Sequence, residues 1–579
     1  MSDFQIPDYE NLPAPQGYQS YIRTIGPTAC DLYALTMTYA AWKLGFAEEK
    51  ITTSNVFCRT LLDNGETYKD NDTDEIRRVK IPYLISGGLG LLAEWIDGWQ
   101  WRDDDLRFLA QQRVDNGNGE MVRLFPDEFL YWLSRQRLTL DIEAVPEGQL
   151  IFPQEPSLRI TGPWWQQMMI EAMALSLISS STNLNTVATQ VRLAAEREAR
   201  KEGATLVDVS AKDSAALTEM ALRRAPSVGA LQSARAAHIA GWDYTSNVYA
   251  AKCYGIPVKG TFAHAWVMLH DTEEQAFENW AKAHPGSTIF LVDTYDTIEA
   301  VEKAIHICRK HGLALKGIRL DSGNTAYLSK KVQPLLDEAG YGDALISDTN
   351  NLTVKAVSNL FGHVATDVTK PESFLKSFGL GSEIAVNRNN PLLDFVMKLG
   401  ALHADASTGR KEVMRDLIKL SETEAKTTLP GLVDILRFID PAGKWAGDTI
   451  IPHDLYIGEE KLERDLLSQN IGTGKIKPFP KGARFERILK PWMRKGEMVQ
   501  PLYAAKDAHG ILAQAKETCK ETLARMGREH LRLPTQDNPH PYGVGITQEL
   551  ATKRRTAIER IRSEKEMEKQ RARFGLTPT

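Results

Sequence analysis

The sequence predicts an α/β fold in which parallel strands alternate with helices, because apolar runs and helical periodicity follow one another in the middle of the chain. The apolar run TIFLVD (288–293) is typical of a strand buried on both faces. LKGIRLD (315–321) and ALIS (344–347) predict two further strands. The joints are short, which favours right-handed crossovers in either an open sheet or a barrel.

Helices are predicted in the intervals between these strands. Apolar residues recur at helical spacing over 298–308, and His311 and Gly312 end that helix. The same spacing predicts helices over 328–335 and 352–361. The alternation of strand and helix therefore extends through most of this region.

Three more helices are predicted outside the alternation. One lies around 29–44, and a polar one lies at about 184–202. The third is the charged stretch 553–574, in which basic and acidic residues are interleaved. Interleaved signs favour a solvated helix with ion pairs between successive turns over a basic binding arm.

Composition indicates a globular, multi-domain, cytoplasmic enzyme. The 579 residues are long enough for several domains, and the net charge of -5 gives no basic field for nucleic acid or a membrane. The first residues, MSDFQIPDYE, lack the pattern of a signal peptide, and no uncharged apolar run approaches the ~18 residues of a membrane span. Five dispersed cysteines without CxxC favour reduced thiols over a disulfide or zinc framework.

Polar residues follow two of the predicted strands. Asp293 ends the first, whereas Arg319, Asp321 and Ser322 end the second. Side chains alternate along a strand, so Arg319 and Asp321 share a face at roughly 6–7 Å. They form either a structural ion pair or a phosphate clamp beside a ligand of Mg²⁺, and Asp293 favours the second reading, because carboxylates suit Mg²⁺ bound to a polyphosphate.

Two further stretches suit anion binding. FGLGS (378–382) follows a short apolar run, and its glycines would let backbone N–H groups approach an anion, although most such sequences are only turns. Arg223 and Arg224 are suited to bidentate recognition of carboxylate or phosphate, although paired arginines are more often a solvated surface.

His264, in GTFAHAW (260–266), is by itself more typical of a packed histidine. Phosphate-loop, nucleophile-elbow and zinc-helix motifs are missing from the sequence.

Several blocks, in order, resemble the nicotinate phosphoribosyltransferase family. They span about residues 30 to 437, and the long run around His264 resembles the core of the family nearly end to end. The blocks are CDLYALTM (30–37), RRAP (223–226), ARAAHIAGWDYTSNVYAAKCYGIPVKGTFAHAW (234–266), LVDTYDT (291–297), IRLDSGN (318–324), FGLGS (378–382) and KLSETEAKTTLPG (419–431).

The resemblance implies a fold and an activity. The fold would be an irregular α/β barrel like that of triosephosphate isomerase, with an α+β domain built from both chain ends. The implied divisions are 1–160, 161–437 and 438–579. The activity would join nicotinate to 5-phosphoribosyl 1-pyrophosphate, giving nicotinate mononucleotide and pyrophosphate in NAD salvage. ATP hydrolysis would be coupled to this reaction through a phosphorylated histidine.

The resemblance also implies roles for individual residues. His264 would accept the phosphoryl group of ATP, and Asp321 would hold Mg²⁺. Asp293 would either hold the metal as well or orient His264. The family forms homodimers with shared sites, in which Tyr33 would reach the nicotinate site of the neighbour. The implied substrate-binding residues are Tyr33, Arg59, Arg223, Arg224, Thr245, Ser246, Arg319, Ser322, Gly379, Gly381 and Ser382.

The chain departs from the family pattern at three positions. Met220 stands where an aromatic residue usually precedes the arginines, Ala265 replaces a polar residue after the histidine, and Asn324 gives the DSGN of the nicotinamide-using relatives. That related activity is the first alternative, and a catalytically silent ligand sensor is the second. The pair Arg223-Arg224 favours the acid, because a second cation suits a carboxylate.

Overall fold

The computed structural model describes most of the chain. The described residues are 17–69, 76–196, 214–362, 373–387, 390–403, 413–421, 427–471, 473–531 and 540–573. Part of the predicted helix at 184–202 and part of the block 419–431 therefore lie outside the described residues.

The helices are distributed along the whole chain. In chain order they are α1 (Leu32–Lys43), α2 (Leu89–Asp97), α3 (Asp103–Ala110), α4 (Asp127–Ser134), α5 (Trp164–Ala194), α6 (Ser227–Ile239), α7 (Val248–Tyr254), α8 (His264–Met268), α9 (Glu273–Ala283), α10 (Thr297–His311), α11 (Thr325–Glu338), α12 (Val354–Gly362), α13 (Ser382–Val386), α14 (Pro501–Ala504), α15 (Ala508–Ala524), α16 (Arg528–Leu531) and α17 (Gln548–Arg573).

Within the described residues, the strands form three large sheets and three short ribbons. In chain order they are β1 (Ile51–Cys58), β2 (Asp63–Lys69), β3 (Ile76–Lys80), β4 (Leu84–Ile85), β5 (Arg113–Asp115), β6 (Met121–Arg123), β7 (Asp141–Ala144), β8 (Leu150–Ile151), β9 (Pro156–Pro163), β10 (Ala216–Glu219), β11 (Tyr244–Thr245), β12 (Ile289–Leu291), β13 (Gly317–Leu320), β14 (Leu345–Asp348), β15 (Leu375–Leu380), β16 (Phe395–His403), β17 (Val413–Asp416), β18 (Val433–Ile439), β19 (Trp445–Pro452), β20 (Leu466–Gln469), β21 (Ile476–Phe479), β22 (Arg484–Arg487), β23 (Lys490–Arg494), β24 (Glu497–Met498) and β25 (Val544–Thr547).

The predicted alternation of strands and helices is confirmed as one parallel sheet. Its order is β11-β10-β15-β14-β13-β12, and each neighbouring pair is parallel. Phe290, Ile318 and Ile346 are fully buried, as the apolar runs predict for strands covered on both faces. Because the strands run in the same direction, their carboxyl ends meet at one edge of the sheet.

A second sheet combines strands that are far apart in the sequence. Its order is β17-β16-β1-β9-β7-β23-β24, with β1 antiparallel to both β9 and β16. Strand β16 thus pairs with the amino-terminal β1, and β17 pairs with β16, so both belong to this sheet and not to the parallel one. The predicted division at residues 160 and 437 stays a prediction.

The third sheet belongs to the carboxyl-terminal part and encloses a buried cation. Its order is β21-β20-β25-β19-β18-β22. The Arg437 guanidinium, on β18, is fully buried and donates from Nε to both oxygens of Asp448 at 3.0 Å. Its Nη1 donates to Gln149 at 2.9 Å, and Nη2 donates to the Leu150 carbonyl at 3.1 Å. The pair therefore fastens this sheet to the amino-terminal half.

The prediction of a polar helix at 184–202 is wrong in its start and its surroundings. Residues 184–194 are the buried end of α5, which begins at Trp164. Its polar side chains bond inside the protein: Gln190 donates to the Tyr83 hydroxyl at 2.6 Å, and the Thr186 hydroxyl accepts from the Ile85 N–H at 2.9 Å. Among the described residues, no helix has the length and apolar character needed to cross a membrane.

His238, on α6, makes stability depend on pH. Burial, aided by the charges of Lys516 and Arg235, lowers the pKa of His238 to about 4. Below about pH 6.5 the unfolded chain therefore binds a proton at this histidine more readily than the folded protein does. The stability contributed above that pH is lost as the pH falls from about 6.5 toward 4. We expect the thermal midpoint to drop more between pH 7.5 and 5 in the wild type than in His238→Gln; equal drops would contradict the assignment.

Candidate active site

A pocket of about 800 Å³ opens at the carboxyl edge of the parallel sheet. It brings together residues that are as many as 162 positions apart in the sequence, Met220 and Ser382. Nine of the predicted site residues line it, namely Arg223, Arg224, Ser246, His264, Arg319, Asp321, Gly379, Gly381 and Ser382. Further lining residues, which the sequence analysis did not assign, include Met220, Leu222, Thr349, Asn350 and Asn351.

His264 begins the short helix α8 and lies partly exposed in the pocket. Its Nδ1 is 3.0 Å from the Thr294 hydroxyl, which is its hydrogen-bond partner. Its Nε2 lies 3.7 Å from Asp321 Oδ2 and 3.9 Å from Asp293 Oδ1, beyond ordinary hydrogen-bond length. The interpretation in which Asp293 orients the ring is therefore corrected: Thr294 makes that contact.

Asp293 is buried, does not line the pocket and organises the strand ends. Its Oδ2 accepts from the Ser322 hydroxyl at 2.6 Å and from the Asp321 N–H at 3.2 Å. Its Oδ1 is buried and has no hydrogen-bond partner within the described part of the chain. An unpartnered buried carboxylate oxygen is costly, so this atom is suited to a cation or a bound ligand.

Arg319 and Asp321 form the predicted pair on one strand face. Arg319 Nη2 is 3.4 Å from Asp321 Oδ2, while Arg319 Nε donates to the Thr349 hydroxyl at 3.0 Å. Nη1 of Arg319 donates to the Thr261 hydroxyl at 2.9 Å. Thr349 in turn donates to Asp321. These contacts fix the guanidinium at the pocket wall, where it can face an anion.

The sequence analysis missed a third carboxylate at these strand ends, Asp348. It ends β14, one residue after the predicted strand 344–347, and accepts a hydrogen bond from Thr325. Burial, together with the nearby Asp321 and Asp293, raises the pKa of Asp348. Asp293 was identified because it ends a predicted strand. Asp348 would have been identified in the same way if the predicted strand 344–347 had extended one residue further. Thr294 and Thr349 had no comparable signal.

The glycines of FGLGS make room for the pocket floor. A Cβ on Gly379 would lie 2.8 Å from Met220 Sδ and 2.8 Å from Thr349 Cγ2. A Cβ on Gly381 would lie 2.8 Å from the Met220 carbonyl oxygen. The helix that follows, α13, has only five residues, so little of a helix dipole is available there.

Gly381→Ala should damage the pocket, because the added methyl meets backbone that cannot rotate away. We expect kcat/KM to fall by roughly 10²-fold through misplacement of the floor. Gly286→Ala is the matched control, since its Cβ would meet nothing within 4 Å. Unchanged steady-state kinetics in Gly381→Ala would contradict the role of this floor.

The remaining predicted residues near the pocket differ in exposure. Arg223 and Arg224 are exposed on the turn after β10 and line the pocket. Thr245 is fully buried behind it and donates to Glu219, whose pKa is raised by burial. The Ser246 N–H donates to the Glu219 carbonyl at 2.8 Å, which places Ser246 at the wall. Ser322 contacts Asp293 and does not line the pocket.

Tyr33 and Arg59 lie on a different surface of the same chain. The Tyr33 hydroxyl donates to Glu171 Oε2 at 3.1 Å, and burial followed by the Glu171 charge raises the pKa of Tyr33 to about 12. Arg59 Nη1 is 3.5 Å from Asp394 Oδ2. Neither residue lines the pocket within this chain. The charges of Glu171 and Arg59 both act on the pKa of Lys398. Tyr33, which bonds Glu171, and Arg59 therefore lie near the same lysine.

Within the described ranges, no three His, Cys, Asp or Glu side chains form a group that could hold a metal ion by themselves. A cation at the strand ends would therefore need oxygens from water or substrate in addition to Asp293 and Asp321. That arrangement is normal for Mg²⁺, which usually keeps several waters and binds substrate phosphates.

Family models match most of the chain. The nicotinate phosphoribosyltransferase N-terminal domain matches residues 28–179, the nicotinate phosphoribosyltransferase family matches 215–437, and the nicotinate phosphoribosyltransferase C-terminal domain matches 434–554. The matches are in the order of the family's domains and leave only the segment 180–214 and the chain ends uncovered.

Curated relatives of this chain are named nicotinate phosphoribosyltransferase. A nicotinate phosphoribosyltransferase of Bacillus subtilis is 30% identical over 439 residues, covering 75% of this chain and 78% of the relative. The nicotinate phosphoribosyltransferase pncB2 of Mycobacterium tuberculosis is 31% identical over 466 residues, covering 79% and 86%. The enzyme of that name from Caenorhabditis elegans is 25% identical and covers 91% of this chain and 92% of its own length.

Solved structures share the fold. Human nicotinic acid phosphoribosyltransferase aligns with a TM-score of 0.67 at 21% identity, covering 90% of this chain and 98% of that one. A nicotinate-nucleotide pyrophosphorylase from Pyrococcus furiosus aligns with a TM-score of 0.55 at 18% identity, covering 90% and 99%. At these identities the likeness concerns the mixed α/β fold alone.

Proposed function

This chain belongs to the nicotinate phosphoribosyltransferase family, and we propose that its pocket at the carboxyl edge of the parallel sheet joins nicotinate to 5-phosphoribosyl 1-pyrophosphate. The products are nicotinate mononucleotide and pyrophosphate, in the biosynthesis of NAD. The convergence of Arg223, Arg319, Asp321 and His264 on one pocket is the observation that carries the proposal. The two arginines can bind the phosphates of one substrate and the carboxylate of nicotinate. The aspartate can bind a metal ion that is itself bound to pyrophosphate.

The chemistry needs positioning and charge stabilisation more than a covalent step. Departure of pyrophosphate from the ribose develops positive charge on the sugar and negative charge on the leaving group. Arg319, held by Thr349, Thr261 and Asp321, would face the leaving phosphates in a fixed orientation. Ser382 and the backbone at Gly381 would receive the 5-phosphate. Prealigned donors of this kind require little reorganisation during the reaction.

The strand-end carboxylates fit Mg²⁺. Asp293 Oδ1 is a buried oxygen without a partner among the described residues, and Asp321 lines the pocket above it. We assign the two side chains as the residues that hold the ion or its waters, with substrate phosphates as further ligands. When bound, Mg²⁺ neutralises charge on the pyrophosphate.

ATP coupling through His264 is part of the same proposal. A neutral imidazole is a nucleophile for the γ-phosphoryl group, and Thr294 at Nδ1 holds the ring in place. The P–O bond to ADP breaks as the N–P bond forms, and ADP leaves with the electron pair. Added negative charge beside the bound pyrophosphate would favour its release. Equal pyrophosphate affinity with and without the phosphohistidine would contradict that last step.

Nicotinate is favoured over nicotinamide by the two arginines at the pocket mouth. Arg223 and Arg224 both line the pocket and are exposed, so a second guanidinium is available for the carboxylate of nicotinate. Met220, at the floor, offers a softer apolar face than an aromatic ring would. The nicotinamide activity remains the alternative, since Asn324 matches the amide-using relatives.

A homodimer with shared sites accounts for the surroundings of the pocket. Large apolar side chains stay exposed on loops and helices that follow strands of the parallel sheet, including Leu222 at 54%, Val248 at 69% and Tyr295 at 68%. Such exposure favours a partner surface. Tyr33 and Arg59 would then reach the neighbour's pocket.

We further propose that the parallel sheet forms an irregular barrel, because β10, its first strand in the sequence, pairs with β15, its last. The cytoplasmic location stays a prediction.

One incubation series tests the function. Purified protein, 5-phosphoribosyl 1-pyrophosphate and Mg²⁺ are combined with nicotinate or nicotinamide, each with and without ATP, and mononucleotide is quantified by chromatography. We expect product from nicotinate, and more of it with ATP. Product from nicotinamide and none from nicotinate would establish the alternative activity. No product from either would favour a ligand sensor.

A further inference from the structure

Strand β10 of the parallel sheet ends in a buried carboxylate that the proposed chemistry does not use. Glu219 is the last residue of this strand and is fully buried. It does not line the active-site pocket, although Met220 and Leu222, which follow it in the chain, do. A buried carboxylate is costly unless it is bonded, so its partners show what it holds in place.

One side-chain oxygen of Glu219 holds the turn that carries the two arginines of the pocket. Its Oε1 accepts from the Ala221 N–H at 2.6 Å. The Ala221 carbonyl in turn accepts from the Arg224 N–H at 2.7 Å and from the Ala225 N–H at 3.0 Å. The turn that presents Arg223 and Arg224 to the pocket therefore closes on a residue that Glu219 fixes.

The other side-chain oxygen and the backbone of Glu219 hold the segment that carries Ser246. The Thr245 hydroxyl donates to Oε2, and the Ser246 N–H donates to the Glu219 carbonyl at 2.8 Å. Thr245 Oγ1 also accepts from the Asn247 N–H at 3.0 Å, and its single proton is used for Glu219. Glu219 thus joins two parts of the pocket wall that follow different strands, β10 and β11.

Hydrogen bonds, and not a cation, compensate the charge of Glu219. Burial raises its pKa, and the groups that lower the pKa are three hydrogen-bond donors, from Thr245, Ala221 and Ser233. In the part of the chain that the structure describes, no lysine, arginine or histidine forms an ion pair with it. A displacement of either part of the wall would therefore remove a donor from a buried carboxylate, which makes the two parts depend on each other.

We propose that Glu219 is a positioning residue, which sets the spacing between the arginine turn and Ser246 and thereby the affinity of the pocket for the carboxylate of nicotinate. This rests on the proposed function, in which Arg223 and Arg224 bind that carboxylate. Thr245, to which the family resemblance gives a substrate-binding role, acts through Glu219 instead, because it is fully buried. Donors to one carboxylate must be placed to within about 0.5 Å to act together.

Thr245→Val tests the role of Glu219 through binding and not through turnover. Valine keeps the shape of threonine but cannot donate to Glu219. We expect isothermal calorimetry to show about 10-fold weaker binding of nicotinate, the value of one hydrogen bond to a charged group. The affinity for 5-phosphoribosyl 1-pyrophosphate should stay unchanged, since Arg319 is held by other contacts. Unchanged nicotinate affinity, or an equal loss for both ligands, would overturn the proposal.

Two matched variants separate positioning from a general loss of stability. Thr186→Val removes another fully buried hydroxyl, which donates to the Thr182 carbonyl at 2.7 Å and accepts from the Ile85 N–H at 2.9 Å. It should lower the thermal midpoint as Thr245→Val does, with nicotinate affinity unchanged. Thr245→Ser keeps the hydroxyl and should bind nicotinate as the wild type does. A loss of about 10-fold in either matched variant would overturn the proposal.

A double-mutant cycle shows whether Thr245 acts through Glu219. Glu219→Gln keeps an oxygen for the Ala221 N–H, but its amide nitrogen replaces the oxygen that accepts from Thr245, so nicotinate binding should weaken. Adding Thr245→Val should weaken binding little further, whereas independent residues would multiply their losses. Multiplied losses would overturn the action through Glu219. If the wild type forms no mononucleotide while Thr245→Val still binds nicotinate more weakly than Thr186→Val, the proposed function fails and the role of Glu219 stands.

Discussion

His264→Ala should abolish all stimulation of phosphoribosyl transfer by ATP while leaving basal transfer measurable. The imidazole lines the pocket and is the proposed phosphoryl acceptor, so its removal leaves ATP without an acceptor. The arginines and carboxylates that position the phosphoribosyl substrate remain in place. Mononucleotide formation with and without ATP, together with ³²P transfer from γ-labelled ATP to protein, measures the effect.

Two comparison variants sharpen this result. His306→Ala removes a histidine that is 65% exposed on α10 and should behave as the wild type. Thr294→Val removes the partner of Nδ1 and should reduce the ATP stimulation by about 10-fold, the value of one lost hydrogen bond. Label retained on His264→Ala would contradict the acceptor role. Loss of basal transfer in the same variant would mean that the ring also positions substrate.

Arg437→Ala should strongly destabilise the fold. The fully buried guanidinium bonds Asp448, and its removal leaves that carboxylate buried without its cation. Breaking a buried pair in this way costs about 3–5 kcal/mol. Glu155 lies 3.9 Å from the same guanidinium, so it too would lose compensation. Urea unfolding monitored by tryptophan fluorescence measures the loss.

Arg464→Ala is the matched control for that measurement. Arg464 also pairs with a carboxylate, Glu549, at 2.8 Å, but the two side chains are 50% and 40% exposed. An exposed pair contributes about 0–1 kcal/mol, so the control should unfold close to the wild type. Similar losses in Arg437→Ala and Arg464→Ala would contradict the importance of burial here.

The parallel sheet could be predicted from the sequence because its signals are local. Each apolar run is followed within a few residues by helical spacing, and Asp293 and Asp321 occur where the runs end. The second sheet has no such signal, since β1 pairs with β16 across more than 300 residues. Pairing between distant segments depends on packing that no short stretch encodes.

The polar face of α5 shows why periodicity alone misled. Thr186, Gln190 and Arg192 look like a solvated face, yet all three are buried and bonded to other parts of the protein. A satisfied buried polar group and an exposed one give the same letter in the sequence. The contact of Thr294 with His264 escaped prediction because it joins the loop after β12 to the first residue of α8, which is 30 positions away in the sequence.

The most direct test of the pocket as the site of transfer is single-turnover formation of nicotinate mononucleotide by wild type and Asp321→Asn. Asp321 lines the pocket and contacts Arg319 and Thr349, and the amide keeps its size but removes its charge. We predict a rate at least ~10²-fold lower, because charge stabilisation at the leaving phosphates is lost, with an unchanged thermal midpoint. An equal rate in the two proteins would show that transfer takes place elsewhere.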